Sequence, residues 1–347
     1  MSDSAVAKGL DRAYEHAADR ALPAAAARVV MFSDHHKGVR DGADDFLRCE
    51  PAYCAALTWY LEQGYALYVL GDVEELWEND PEPVLRQKTG YAEVLELEAR
   101  FHRDGRYERF FGNHDDLWSH SGPVGEHLHG FFPGLEVREA LKLRLTRPGS
   151  PDGLLVLLHG HQGTASSDRG RGISRLFVRF VWRRIQRESG YTGVTPAQNY
   201  ALRAEHDRAM SLWASTHPDK PILITGHTHR PVFWDSKPAP PPAPPPDGGD
   251  VERRVDEAWQ AAKQRNQPKS FQLATPCYFN TGCCCFGDGD VTGLELADGE
   301  IRLVRWPLDD GTPRRKILAH RPLDDVLDTV AGRAPAPVTG QESGGDR

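Results

Sequence analysis

Arg28-Val29-Val30-Met31-Phe32-Ser33-Asp34-His35-His36 is a short apolar run that ends in a carboxylate and two imidazoles. Such a run, bounded by polar residues, reads as a buried strand. Arg28 to Ser33 is therefore a strand that delivers Asp34 and His36 at its end. The same arrangement recurs down the chain. Tyr65 to Leu70 runs into Gly71-Asp72, and Tyr107 to Phe111 into Gly112-Asn113-His114-Asp115. Gly153 to Leu158, paired with Leu141 to Thr146, runs into His159-Gly160-His161, and Pro221 to Thr225 into Gly226-His227-Thr228-His229. Strands that each end in a polar residue place those residues along one edge of a sheet, where open α/β sheets hold their ligands.

Helices are expected at about residues 44–62 and 83–103. Leu294 to Leu296 and Ile301 to Trp306 read as a hairpin across Asp298-Gly299. Early strands separated by helices, followed by hairpins, predict an α/β fold with a mixed sheet or a two-sheet sandwich flanked by helices. Residues 1–27 form an N-terminal extension, helical to about residue 24, ahead of a domain over 28–320. That domain carries a mostly helical insertion at 162–220 and a Pro-rich, then charged, insertion at 235–268. The tail, 321–347, is rich in Pro, Gly and charge and is expected to be disordered.

In 347 residues, 39% hydrophobic and 27% charged, the chain has the composition of a globular protein with a substantial core. The net charge of −8 argues against a general nucleic-acid binder. No apolar run reaches the length of a membrane-spanning helix, and no signal-type segment follows the N-terminus. A cytoplasmic location is expected, with the six cysteines as thiols. Cys283-Cys284-Cys285 sits in an apparent strand and reads as small buried core residues, with a metal or redox site as the less favoured alternative because the run lacks CxxC spacing.

Taken together, the five strand ends offer a mixed oxygen and nitrogen cage of the kind that binds two divalent ions. Asp72 is the candidate bridge, since a carboxylate binds one ion through each oxygen. Asn113 offers a neutral amide oxygen, and His227 and His229 each serve a different ion if the loop turns between them. Oxygen and imidazole ligands without thiolate suit Mn, Fe or Zn, of which Mn is preferred here.

These five motifs resemble those of the calcineurin-like metallophosphoesterases, whose pattern is DxH, GD, GNH, a lone His and GHxH. The resemblance covers Val29 to Leu296. It implies a four-layer α/β/β/α sandwich and a dinuclear centre. One ion would take Asp34, His36, Asp72 and His229, and the other Asp72, Asn113, His159 and His227. His159 is assigned over His161 because the family's ligand directly follows the strand. The implied chemistry is hydrolysis of a phosphodiester or pyrophosphate by metal-activated water. His114 would steady or protonate the leaving oxygen, and Asp115 would orient His114.

Asp72-x-x-Glu75-x-Trp77, Leu158-His159-Gly160 and Gly226-His227-Thr228-His229-Arg230-Pro231 further resemble the UDP-2,3-diacylglucosamine diphosphatases, which carry an acyl-holding lid between the last two motifs. His114 and His161 depart from that pattern, which has Arg and Asp there. Arg171, Arg175, Arg179, Arg183 and Arg187 recur every four residues opposite an apolar stripe in the corresponding insertion. This basic amphipathic helix reads as a clamp for an anionic lipid or a peripheral contact with the inner membrane, or as a helix with solvated arginines. The expected substrate is thus a lipid-linked nucleotide. The alternative is a soluble phosphoester: a nucleotide, cyclic nucleotide or phosphoprotein.

Overall fold

A computed structural model of the chain describes residues 3–85, 90–163, 200–233, 276–308 and 311–333. The arginine stripe, Arg171, Arg175, Arg179, Arg183 and Arg187, and the Pro-rich insertion lie outside the described residues. The fold is mixed α/β, with two mixed sheets and helices packed on them.

The seven-stranded sheet has the order β13-β12-β11-β2-β3-β4-β5. Its strands are β2 (Val29–Phe32), β3 (Ala66–Leu70), β4 (Tyr107–Phe110), β5 (Val137–Arg138), β11 (Val291–Ala297), β12 (Glu300–Trp306) and β13 (Lys316–Pro322). β2 to β5 are parallel neighbours, and β11 to β13 form an antiparallel flank. The six-stranded sheet has the order β1-β6-β7-β8-β10-β9. It comprises β1 (Ala18–Pro23), β6 (Ala140–Thr146), β7 (Gly153–Leu158), β8 (Ile222–Thr225), β9 (Pro231–Val232) and β10 (Tyr278–Thr281). Within it β7, β8 and β10 run parallel.

Side chains alternate across a strand, and β2 and β3 use both faces for burial. Met31, Tyr68 and Leu70 pack with Leu141, Leu143, Leu155 and Leu157 of the other sheet. Val30, Phe32, Leu67 and Val69 face the opposite way, against Tyr53, Leu57 and Tyr60 of α2 (Glu50–Glu62) and Val94, Leu95 and Phe101 of α4 (Ala92–Arg103). The single helix expected at 83–103 is instead α3 (Pro81–Leu85) followed by α4.

Both ends of the chain correct the sequence-based expectation. Helix α1 stops at His16 (Asp3–His16), and Ala18–Pro23 pairs in parallel with β6 as an edge strand. Val6, Leu10 and Ala13 of α1 are buried, and α1 packs against α5 (Tyr200–Thr216) and β6. Burying a side chain of this size contributes about 1.5–3 kcal/mol, so α1 belongs to the core. Residues 321 onward continue as the end of β13 and then α6 (Leu323–Val330), whose Leu323, Val326 and Leu327 are buried. Arg147 reaches Asp324 and Asp328 at 3.0 Å each and fastens that helix. Residues after 333 lie outside the described residues. No helix among the described residues is long and apolar enough to cross a membrane.

Candidate metal centre

β2, β3 and β4 are parallel neighbours in one sheet, β7 and β8 in the other, and the loops after all five strands meet. Backbone hydrogen bonds knit these loops together. Asp34 N donates to Gly71 O (3.1 Å), His35 N and His36 N to Asp72 O (2.9 and 3.0 Å), and Gly226 N to His159 O (2.9 Å). The turns are sharp. Asp34, His36, Asp72, His227 and His229 all take positive φ, between 51° and 67°. Non-glycine residues seldom adopt that conformation, and such residues gather where side chains must be aimed against the run of the backbone. Two glycines make the close approach feasible. A Cβ at Gly112 would overlap the Asp72 carboxylate, and one at Gly226 would overlap Ser33 and the Asp34 carboxylate.

The ligand atoms gather into overlapping groups. His36, Asp72 and His114 offer donor atoms within 4.8 Å of one another, and so do Asp72, His159 and His227. Asp72 is common to both. Its Oδ2 lies 3.1 Å from His159 Nε2 and 3.8 Å from His36 Nε2, while its Oδ1 accepts the His114 backbone N–H at 2.8 Å. His229 Nε2 sits 3.2 Å from Asp34 Oδ1 and 3.2 Å from His36 Nε2. The structure therefore brings Asp34, His36, Asp72, His159, His227 and His229 to one place, with Asn113 beside them in the β4 loop. His159, not His161, stands with Asp72 and His227.

Two observations test whether these residues fit divalent ions. Asn113 Oδ1 is buried without a hydrogen-bond partner, although buried polar atoms are nearly always paired. Asp34 Oδ1 and His159 Nε2 meet only other candidate ligands, His229 Nε2 at 3.2 Å and Asp72 Oδ2 at 3.1 Å. In addition, His159 Nδ1 donates to the Leu70 carbonyl (2.7 Å) and His36 Nδ1 to Glu75 Oε2 (3.1 Å), which leaves the Nε2 lone pairs facing inward. That tautomer arrangement is typical of metal-binding histidines. The residues fit.

The electrostatics are those of a concentrated negative centre. Burial opposes charge on His36, but Glu75, Asp72 and Asp34 outweigh it and raise its pKa to about 10. Burial likewise works against His159, and Asp72 and Asp34 still lift it to about 9. For Asp72 and Asp34, burial favours the neutral acid, yet the surrounding histidines, His159 and His229 foremost, hold both below the usual carboxylate range. His227 and His161 stay neutral because burial, reinforced by His159, pushes them down, His161 to about 3.

Asp115 does not orient His114. Its carboxylate accepts the backbone N–H groups of Gly112 (2.6 Å), Asp72 (3.2 Å) and Val73 (2.9 Å), which ties the β3 and β4 loops together. Glu75 takes the orienting place: its Oε2 accepts from His114 Nδ1 at 2.6 Å as well as from His36. The His114 ring also stacks on Trp77, with centroids 4.0 Å apart and planes at 18°. His114 is a quarter exposed, and so faces the solvent side of the cluster.

Sequence reasoning missed other supports. On α5, His206 Nε2 donates to Gly160 O (2.6 Å), and Asp207 accepts from Thr228 Oγ1 (2.9 Å), Tyr278 OH (2.8 Å) and Arg230 (2.9 Å). Asn280 Nδ2 donates to Gly226 O at 2.6 Å. These contacts fix the His227–His229 loop from behind. Beneath the β2 and β3 loops lies a buried charge quartet in which Lys37 meets Glu74 (3.5 Å) and Glu98 (3.6 Å), and Arg109 pairs with Glu74. Asp207 and Glu98 lie far in sequence from the motifs, and only the flanking apolar pattern of their helices was readable. Cys283 to Cys285 occupy the loop between β10 and β11 rather than a strand, and Cys285 Sγ lies 3.5 Å from His229 Nδ1, not in the core.

No family model matches this chain, and no curated protein matches it significantly.

Proposed function

We propose that the chain is a dinuclear metal-dependent phosphohydrolase of the calcineurin-like metallophosphoesterase kind, cleaving a phosphodiester or pyrophosphate bond. The observation that carries the reading is Asp72. One buried carboxylate is shared between two histidine groups, which is the donor geometry that bridging of two ions needs. The two sheets, with α2 and α4 on one side and α1 and α5 on the other, correspond in this reading to the family's four-layer sandwich.

Asp34, His36, Asp72 and His229 would hold one ion, and Asp72, Asn113, His159 and His227 the other. When bound, the pair supplies Lewis acidity and lowers the pKa of water. The protein's part is positional and protolytic. Asp115 and the Asp72 main chain fix the spacing of the β3 and β4 loops. Glu75 holds the Nδ1 proton of His114, which leaves Nε2 to hold or give a proton at the leaving oxygen. Trp77 keeps the ring plane fixed by stacking and anchors itself through Nε1 to Asn113 O at 2.6 Å.

A lipid-linked nucleotide as substrate rests on the resemblance at Asp72-x-x-Glu75-x-Trp77, Leu158-His159-Gly160 and Gly226 to Pro231, and on the insertion between the last two motifs. The test is hydrolysis by the purified full-length chain with added Mn²⁺, on an aryl phosphomonoester, an aryl phosphodiester and UDP-2,3-diacylglucosamine, with Asp72→Ala as control. Metal-dependent release of UMP from the lipid nucleotide, lost in Asp72→Ala, supports both reaction and substrate. Turnover of the small esters alone leaves the reaction and removes the lipid. Protein that binds no metal, or is equally active as Asp72→Ala, overturns the reading.

A further inference from the structure

The candidate ligand histidines do not have equivalent surroundings. His36 and His159 give their Nδ1 protons to oxygen, from Glu75 and from the Leu70 carbonyl. His229 differs, because its ring meets sulfur: Cys285 Sγ lies 3.5 Å from its Nδ1, and the Cys283 thiol is within hydrogen-bonding reach as well. Donor atoms from His36, His229 and Cys285 all lie within 4.8 Å of one another, close enough to surround a single cation. Asp34 Oδ1 is buried, and its neighbour at 3.2 Å is His229 Nε2, itself one of this group.

The backbone explains why the thiol is there. Cys284 N donates to Asp34 O (3.1 Å), which lays the β10–β11 loop directly over the first metal motif. Thr292 fixes the loop's entry, since its main-chain N donates to Cys283 O (3.1 Å) and its Oγ1 accepts from Cys283 N (3.2 Å). Cys283 and Cys284 are buried, whereas Cys285 is partly exposed on the open side of the cluster.

We propose that Cys285 is a metal ligand, supplying a thiolate to the ion on the Asp34, His36 and His229 side. This rests on the two-metal reading above and adds a donor that lies outside the five motifs. On binding, the S–H proton leaves to solvent and a sulfur lone pair is donated to the ion. One soft ligand among oxygen and imidazole donors shifts that position towards Zn²⁺ or Fe²⁺ and away from Mn²⁺, while the Asp72, Asn113, His159 and His227 position keeps hard and borderline donors only. The two ions would then differ in identity.

The experiment is Co²⁺ titration of chelator-stripped full-length protein, followed by absorption, with Cys285→Ser, Cys54→Ser and Asp72→Ala alongside. The expected result is a thiolate-to-cobalt charge-transfer band in the near ultraviolet for the native chain and Cys54→Ser. Cys285→Ser should lose that band yet keep the weaker visible cobalt bands, which shows that it still folds and binds. Its preference for Zn²⁺ over Mn²⁺ in competition should drop roughly tenfold or more, the scale on which changes around a metal ligand alter affinity. Cobalt bound without the ultraviolet band, or a band unchanged in Cys285→Ser, overturns the thiolate while leaving the two-metal reading intact. No cobalt uptake by the native chain, or equal uptake by Asp72→Ala, overturns both.

Discussion

His36 and His229 face each other through Nε2 atoms 3.2 Å apart. The His36 Nδ1 proton is committed to Glu75, and His229 Nδ1 points at Cys285. Two imidazole lone pairs directed at one another repel unless a proton or a cation lies between them, and Asp34 Oδ1 adds a third acceptor at 3.2 Å from His229. The His159 and His227 group on the far side of Asp72 does not depend on this pair. His229→Ala should therefore lower bound metal from about two ions per chain to about one. Elemental analysis after dialysis checks this; loss of both ions or of neither contradicts the division of the centre at Asp72.

His114 has a donor atom within 4.8 Å of His36 and Asp72, but its Nδ1 is committed to Glu75, its ring stacks on Trp77 and it is a quarter exposed. His114→Ala should lower kcat by about 10²–10⁴, the usual worth of a positioned acid or base, with metal content unchanged. Glu75→Gln should lower kcat less and shift the acid limb of the pH–rate profile. Parallel loss of metal and turnover in His114→Ala would instead make that histidine a ligand.

Asp207 and Asn280 hold the His227–His229 loop from behind without reaching the cluster. Asp207→Ala should weaken metal affinity by about 10–100-fold, as removal of supports around metal ligands does. The residual activity at saturating metal should stay close to native. Isothermal titration with Mn²⁺ measures the first and steady-state kinetics the second.

Lys37, Glu74, Glu98 and Arg109 are all almost fully buried, which makes each charge dependent on the others. Arg109→Leu strands part of that negative charge and should cost about 3–5 kcal/mol of unfolding free energy. Arg103→Ala, which breaks the exposed pair with Glu96, should cost about 0–1 kcal/mol. Urea unfolding of the two variants side by side decides the comparison.

In chelator-treated protein the histidines set the alkaline limit. Folded values of about 10 for His36 and about 9 for His159 lie above the ordinary 6.5. Their contribution to stability is complete below pH 6.5 and is lost as the pH rises through 9 and 10. Glu75, held at about 2 against an ordinary 4.5, acts in the opposite sense: its contribution is present above pH 4.5 and is lost as the pH falls through 2. The Tm of stripped protein should fall between pH 7 and 10, and His159→Gln should flatten that slope. A slope that rises with pH would contradict the assignment.

Four of the five strands that carry the site could be read because each is a four- to six-residue apolar run cut off by polar residues, and the fully buried β2 and β8 are the clearest cases. β4, Tyr107-Glu108-Arg109-Phe110, is marked only by its aromatic ends. β1 and β13 were missed because edge strands bury little. Their residues are mostly exposed or half-exposed, so no alternating apolar pattern marks them. That each of the five motifs follows a strand was legible, but the expected single sheet edge is instead the meeting of two sheets, β2, β3 and β4 in one and β7 and β8 in the other. The roles of Glu75, Asp207 and Cys285 were not legible, since each acts across loops that only the tertiary fold brings together.

The left-handed turns at Asp34, His36, Asp72, His227 and His229 are held by the main chain and by Asp115, Asp207 and Asn280. Their shape is thus written into folding and is not imposed by whatever the side chains grip. The ordering entropy has been spent before any ion arrives, which favours tight capture. Loss of an ion to a chelator would leave the socket bent, and its return would need no refolding. Depletion and repletion of metal should therefore cycle the protein between states of one shape, on the timescale of ion exchange rather than of chain rearrangement.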